Sequence, residues 1–122
     1  MKSEETLLAL AALAQPTRLE AFRLLVRHEP KGLAAGAIAR ALAVPQNTMS
    51  SHLAVLSHAG LLTAQRFSRS IIYRADLSHL RSVILFMLRD CCEGRPEICA
   101  PLIEELTPCC PPPAKRRVHA KL

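Results

Sequence analysis

Apolar residues recur at helical spacing through most of the first 90 positions, and the pattern predicts five helices and one pair of strands. Over Glu4 to Ala14, Leu7, Leu10, Ala11 and Ala14 follow one face, and Leu8 and Leu13 widen the stripe beyond the needs of a one-sided surface helix. Such a helix has two apolar flanks and room for two partners. Pro16 sits where a first-turn proline is tolerated, and Leu19, Phe22 and Val26 continue a second helix until Pro30 ends the pattern. An Ala-rich helix over Ala34 to Leu42, a break at Ala43-Val44-Pro45 and a longer helix from Gln46 to His58 follow. Met49, Leu53 and Leu56 form the buried stripe of the longer helix, and Gly60 closes it in the manner of a left-handed cap. Two short helices joined by a tight turn make a helix-turn-helix.

After Gly60 the period changes. Leu61 to Phe67 and Ser70 to Ala75 are short runs with β-branched or aromatic residues around a polar turn at Ser68-Arg69, which predicts a β-hairpin, the wing of a winged helix. From Leu77 to Asp90 the helical period returns in Leu80, Val83, Ile84, Met87 and Leu88, while Leu85 and Phe86 make a second side apolar. A small domain with four aromatic residues has too little core to wrap this helix. A homodimer that packs the first and last helices of each subunit against the other accounts for both, with Leu7, Leu10, Leu80, Ile84 and Met87 at the interface.

The fold class is therefore mainly α with a small β-hairpin: a winged helix-turn-helix, dimeric through its first and last helices. A chain of 122 residues accommodates one such domain. We assign residues 1–106 to it, with a cysteine segment at about 91–99, and residues 107–122 to a Pro-rich, basic, mobile tail. The longest apolar stretches fall well short of the roughly 20 residues that cross a bilayer. The charged start of the chain does not suit a signal peptide, so the expected compartment is the cytoplasm.

Charge narrows the choice of partner. Sixteen Lys and Arg stand against ten Asp and Glu, and the segment from Pro30 to Ala75 holds Lys31, Arg40, Arg66, Arg69 and Arg74 with no acidic residue at all. An anionic partner is welcome there. A helix enters the major groove only if its exposed face carries short polar or basic groups, and Gln46, Asn47, Thr48, Ser50, Ser51 and His52 supply that face. Asn and Gln pair bidentately with adenine, Ser and Thr suit phosphates, and the helix N-terminus favours a phosphate. No nucleophile, base and orienting-group set stands out, and no Gly-rich anion cradle accompanies the cysteines, so no enzyme activity is expected.

The stretches Ala12-Leu13-Ala14-Gln15-Pro16-Thr17-Arg18-Leu19, Thr48-Met49-Ser50-Ser51-His52-Leu53-Ala54-Val55-Leu56 and Ala59-Gly60-Leu61-Leu62 resemble the ArsR/SmtB family of bacterial metal-responsive repressors. The similarity runs over about residues 5 to 90. It implies a dimeric winged helix-turn-helix that sits on a palindromic operator in double-stranded DNA and leaves it when metal binds. By that resemblance the helix from Gln46 reads the major groove, and Arg66 and Arg69 of the wing contact the backbone or minor groove. Where the family often has Gly in the wing turn, this chain has Phe67-Ser68-Arg69-Ser70.

Sensor sites in such repressors occupy different positions on one scaffold. The arsenic site at the start of the recognition helix requires cysteines, and Pro45-Gln46-Asn47-Thr48 stands there instead. For the zinc site of the last helix, Asp76 and His79 make a beginning, but no histidine follows on that helix to complete it. All five cysteines lie after residue 90, which suits reduced thiols in a cytosolic protein better than a disulfide framework. On an unbroken helix Cys91 and Cys99 would stand about 12 Å apart along the axis. Gly94 and Pro96 break the helix between them, so the chain can fold back and gather Cys91, Cys92 and Cys99 around one centre.

Soft thiolates select thiophilic ions, and three without a histidine match trivalent arsenic (arsenite) or antimony (antimonite) as inducer. Some arsenite-responsive members of the family carry a similar arrangement of cysteines after the last helix. Zinc or cadmium would want a fourth ligand, for which Cys109 and Cys110 are available, and a thiol-redox repressor would form a disulfide from Cys99 instead.

Overall fold

The computed structural model describes residues 1–92 together with residue 101. Residues Met1–Phe86 form one compact unit, and a second begins at Met87. The elements are α1 (Ser3–Leu13), α2 (Pro16–Arg27), β1 (Leu33–Ala34), α3 (Ala35–Leu42), α4 (Gln46–His58), β2 (Leu62–Phe67), β3 (Ser70–Ala75) and α5 (Leu77–Cys92). All five expected helices and both hairpin strands are present. The sheet has a third strand, however, because β1 pairs antiparallel with β3, Leu33 opposite Tyr73 and Ala34 opposite Ile72, in the order β1-β3-β2. A two-residue strand carries no periodicity of its own, and only its partners, 40 and 38 positions away, make it one. The expected domain boundary between 106 and 107 lies outside the described residues.

The largest fully buried side chains are Leu25, Ile38, Met49, Leu53, Leu56, Leu61 and Val83. The α4 stripe is thus the one expected. The stripe of α2 differs: Ala21, Phe22, Leu24 and Leu25 face inward, whereas Leu19 and Val26 are exposed. Both choices satisfy helical spacing, and the packing of α2 against α1, α3, α4 and β3 selects the flank with Leu24 and Leu25. In α1 the inward face is made of Thr6, Ala9 and Ala12, small residues that let the helix approach closely. Leu7, Leu8 and Leu10 point outward, 63%, 45% and 38% exposed, while Leu13 is half-buried.

Chain turns are set by identifiable hydrogen bonds. Gln15 is the N-cap of α2, its side chain accepting from the Arg18 N–H at 2.8 Å, and Pro16 follows at N1. Arg18 in turn donates from Nε to the Ala12 carbonyl at 2.6 Å, satisfying an orphan acceptor at the negative end of α1. The Ala-Gln-Pro-Thr-Arg string is therefore a connector that fixes α1 on α2. At the end of α4, Leu61 N–H bonds the Leu56 carbonyl and Gly60 N–H that of Ser57, with Gly60 at φ 86. This is a Schellman closure, completed by burial of Leu56 and Leu61. A Cβ on Gly60 would also stand 2.8 Å from Cε1 and Nε2 of His79, so only glycine fits.

Candidate nucleic-acid interface

The turn between α3 and α4 repeats the same closure without glycine. Val44 N–H bonds the Ala39 carbonyl, Ala43 N–H bonds that of Arg40, and Ala43 itself adopts φ 57, ψ 46. Pro45 then starts α4 with no side-chain cap. The backbone N–H groups of Gln46 and Asn47 are left without an acceptor among the described residues, while Thr48 N–H is taken by Asn47 Oδ1 at 2.9 Å. Two unpaired donors at the positive end of a 13-residue helix suit a phosphate oxygen.

Burial of Met49, Leu53 and Leu56 against the core orients the rest of α4. Gln46, Asn47, Thr48, Ser50 and Ser51 are exposed and His52 is half-buried. Five of the six expected reading residues thus stand on the open side, and the sixth borders it. Ser51 Oγ donates back to the Asn47 carbonyl at 3.4 Å, which turns its hydroxyl toward its own helix. Arg40 of α3 and the Gln46 amide reach over the same patch, at 3.4 Å and 3.7 Å from where a Cβ on Gly36 would be.

The wing is a two-residue hairpin in which Phe67 pairs with Ser70. Its turn needs a positive φ at the first central position, and Ser68 provides it at φ 57 where glycine would be easier. Leu62 and Ala75, paired at the root, are buried, so the wing is rooted in the core while Arg66, Phe67 and Arg69 are exposed toward its tip.

Four of the five cations in the acid-free segment, Lys31, Arg40, Arg66 and Arg69, have no carboxylate partner among the described residues. Arg74 is different. Its Nη2 donates to Glu29 Oε1 at 2.8 Å and its Nε to Oε2 at 3.4 Å, and the adjacent carboxylate raises the guanidinium pKa above its usual range. Glu29 lies one residue before the acid-free segment and 45 from its partner, so no local pattern announces the pair.

Of the expected sensor residues, Cys91 and Cys92 are the last two residues of α5, and Cys99 lies outside the described residues. Among the described residues no three His, Cys, Asp or Glu side chains are grouped as metal ligands. Asp76 Oδ1 accepts from the His79 N–H at 3.0 Å and so caps α5. Among the expected interface residues, Leu80, Ile84 and Met87 are half-buried in the single chain, alongside exposed Leu7 and Leu10. No helix of the described residues is long and apolar enough to cross a membrane.

A helix-turn-helix domain model matches residues 13–65, which span α2 through the middle of β2. The HTH-type transcriptional repressor SmtB of Mycobacterium tuberculosis is 37% identical over 76 residues, 62% of this chain and 54% of that protein. The chain thus spans about half the length of this curated relative. Among solved structures, a possible transcriptional regulator for arsenical resistance is 30% identical, with TM-score 0.54 over 66% of this chain and 83% of that one. A homodimeric winged helix-turn-helix domain of a possible ArsR-family regulator from Mycobacterium bovis is 25% identical, with TM-score 0.59 over 75% of this chain and 86% of that one. The chain belongs to the ArsR/SmtB family of winged helix-turn-helix transcriptional regulators. Within this fold an alanine, Ala43, holds the left-handed helix-turn-helix joint, and a serine, Ser68, holds the positive φ of the wing turn.

Proposed function

We propose that this ArsR/SmtB protein is a transcriptional repressor that binds a palindromic operator as a homodimer and is released by trivalent arsenic or antimony. The observation that carries the DNA role is the open face of α4. Gln46, Asn47, Thr48, Ser50 and Ser51 stand exposed above a buried Met49-Leu53-Leu56 stripe, beside N–H donors, and with Arg66 and Arg69 of the wing, that have no partner among the described residues. In this reading α4 lies in the major groove, His52 borders the contact, and Arg66 and Arg69 hold phosphates or the minor groove. The exposed leucines of α1 support a dimer, as does the homodimeric relative from Mycobacterium bovis. A second copy places two α4 helices for half-sites one DNA turn apart.

The inducer reading rests on thiol chemistry. Cys91 and Cys92 end α5, and Cys99 follows within a short chain segment, so three thiolates are available to one soft centre. The relative associated with arsenical resistance supports the metalloid over other ions. Binding at the end of α5 adjoins the proposed dimer helix, and release requires the ligand to favour the DNA-free arrangement by several kcal/mol.

Fluorescence anisotropy of a duplex from the protein's own promoter tests both parts. Reduced protein is expected to bind, and stoichiometric arsenite to release it. Changing Cys91, Cys92 and Cys99 together to Ser should preserve binding and abolish release. Release by cadmium, zinc or peroxide in place of arsenite would overturn the metalloid assignment, and absence of binding would overturn the DNA role.

A further inference from the structure

The root of the wing is held by a clasp built from the α2–β1 loop. Glu29 takes the head of Arg74 through two hydrogen bonds, at 2.8 Å and 3.4 Å. Gly32, at φ 77, lets the loop run close to the stem of the same side chain, for a Cβ there would stand 2.6 Å from Arg74 Cγ and would collide with the Tyr73 carbonyl oxygen. Arg74 is thus held at its head by Glu29, and its backbone lies in β3, which pairs with both other strands. Beside it, Lys31, Pro30, Thr63, Gln65, Phe67 and Ile72 line a hollow of about 310 Å³ on the outer face of the wing. Thr63, Gln65, Phe67, Ile72 and Arg74 share that face by the hairpin register, with Thr63 opposite Arg74 and Gln65 opposite Ile72.

Arg74 is therefore a cation of the acid-free segment Pro30 to Ala75, yet among the described residues its charge is matched by the carboxylate of Glu29. We infer that Glu29 sequesters Arg74 from DNA: Arg74 is a positioning residue of the wing root and not a phosphate ligand, and Glu29 holds the DNA affinity of the wing below what its basic composition would permit. The inference rests on the DNA-binding reading above. Each phosphate neutralised by a protein cation steepens the fall of log affinity with log salt by about 0.9, so the number of engaged cations is directly measurable. Because the Glu29 carboxylate is partly exposed, a neutral isostere can replace it without opening the core.

The experiment compares wild type, Glu29→Gln, Arg74→Gln and the double variant on one labelled promoter duplex between 50 and 200 mM salt, with thermal melting followed by circular dichroism. Arg74→Gln should leave the salt slope as in wild type. Glu29→Gln frees the guanidinium beside Lys31, and the slope should steepen by about 0.9 per protomer, deepening the loss of affinity over that salt range about 3.5-fold per protomer. The double variant should return to the wild-type slope, identifying Arg74 as the cation released. A slope flattened by about 0.9 per protomer in Arg74→Gln would show that Arg74 holds a phosphate in the wild type and overturn the inference, as would an unchanged slope in a folded Glu29→Gln. Should Glu29→Gln fail to fold, Arg74→Gln decides alone. A wild type that binds no duplex at low salt is a separate outcome: it removes the DNA role itself, and the inference with it.

Discussion

Two side chains show how much rests on single residues here. Ala43 holds the left-handed joint between α3 and α4 with a Cβ that crowds the following carbonyl, at a cost of roughly 1–2 kcal/mol for an L-residue. Glycine removes that strain but gives back part of the gain by loosening the unfolded chain. Ala43→Gly should therefore stabilise the protein by about 0.5 kcal/mol, read as a higher urea midpoint with an unchanged m-value. Arg18 works in the other direction. Its Nε bond to the Ala12 carbonyl is charge-assisted and partly buried, so Arg18→Met should cost about 1.5 kcal/mol in the same titration, the carbonyl losing its partner. Family resemblance marks Arg18 as part of a motif without giving its task, because the acceptor is a backbone atom of another helix six positions back.

For the elements, local rules account for most of what forms, and their ends carry the pH sensitivity. Glu5 accepts from the Lys2 N–H at 2.9 Å, and that bond, with the positive N-terminus nearby, holds its carboxyl below the usual carboxylate range. A carboxylate with a depressed folded pKa contributes stability above its unfolded pKa and loses it as the pH falls through the folded value. The first turn of α1 should consequently fray in acid below the ordinary carboxylate range. Amide exchange of Lys2 and Thr6 should speed up there, and Glu5→Gln should abolish that pH step while leaving the rest of the domain unchanged. The α2 face shows where local rules stop. Leu19-Phe22-Val26 and Phe22-Leu25 satisfy helical spacing equally well, and the choice fell to whichever flank met α1, α3 and α4.

On the scale of the whole molecule, the small-residue inner face of α1 leaves Leu7, Leu8 and Leu10 in water, where burial of each is worth on the order of 2 kcal/mol. A second copy is the proposed cover. Changing Leu7 and Leu10 together to Glu should leave the helical content intact and give a monomer by light scattering. Its affinity for a two-half-site duplex should drop on the order of 100-fold as the linked second half-site is lost. A dimer that survives this change would move the interface elsewhere.

The helices, the hairpin, the glycine closure of α4 and its open polar face were all legible in the amino-acid order, because each depends on periodicity and turn chemistry within a few neighbours. The three-cysteine proposal rests on residue type and spacing alone. What only the tertiary structure decided involves partners distant in the chain: the strand Leu33–Ala34, which exists by pairing with β3; the outward turn of Leu7, Leu8 and Leu10, set by what Ala9 and Ala12 touch; and the Glu29–Arg74 clasp. The charge count of the Pro30 to Ala75 segment includes Arg74 among its cations, but a carboxylate 45 positions away matches it. The physical reason is range: helix caps, turns and stripes are settled by neighbours a few residues off, while strand partners, ion pairs and the choice of buried flank belong to surfaces that meet only when the chain has folded.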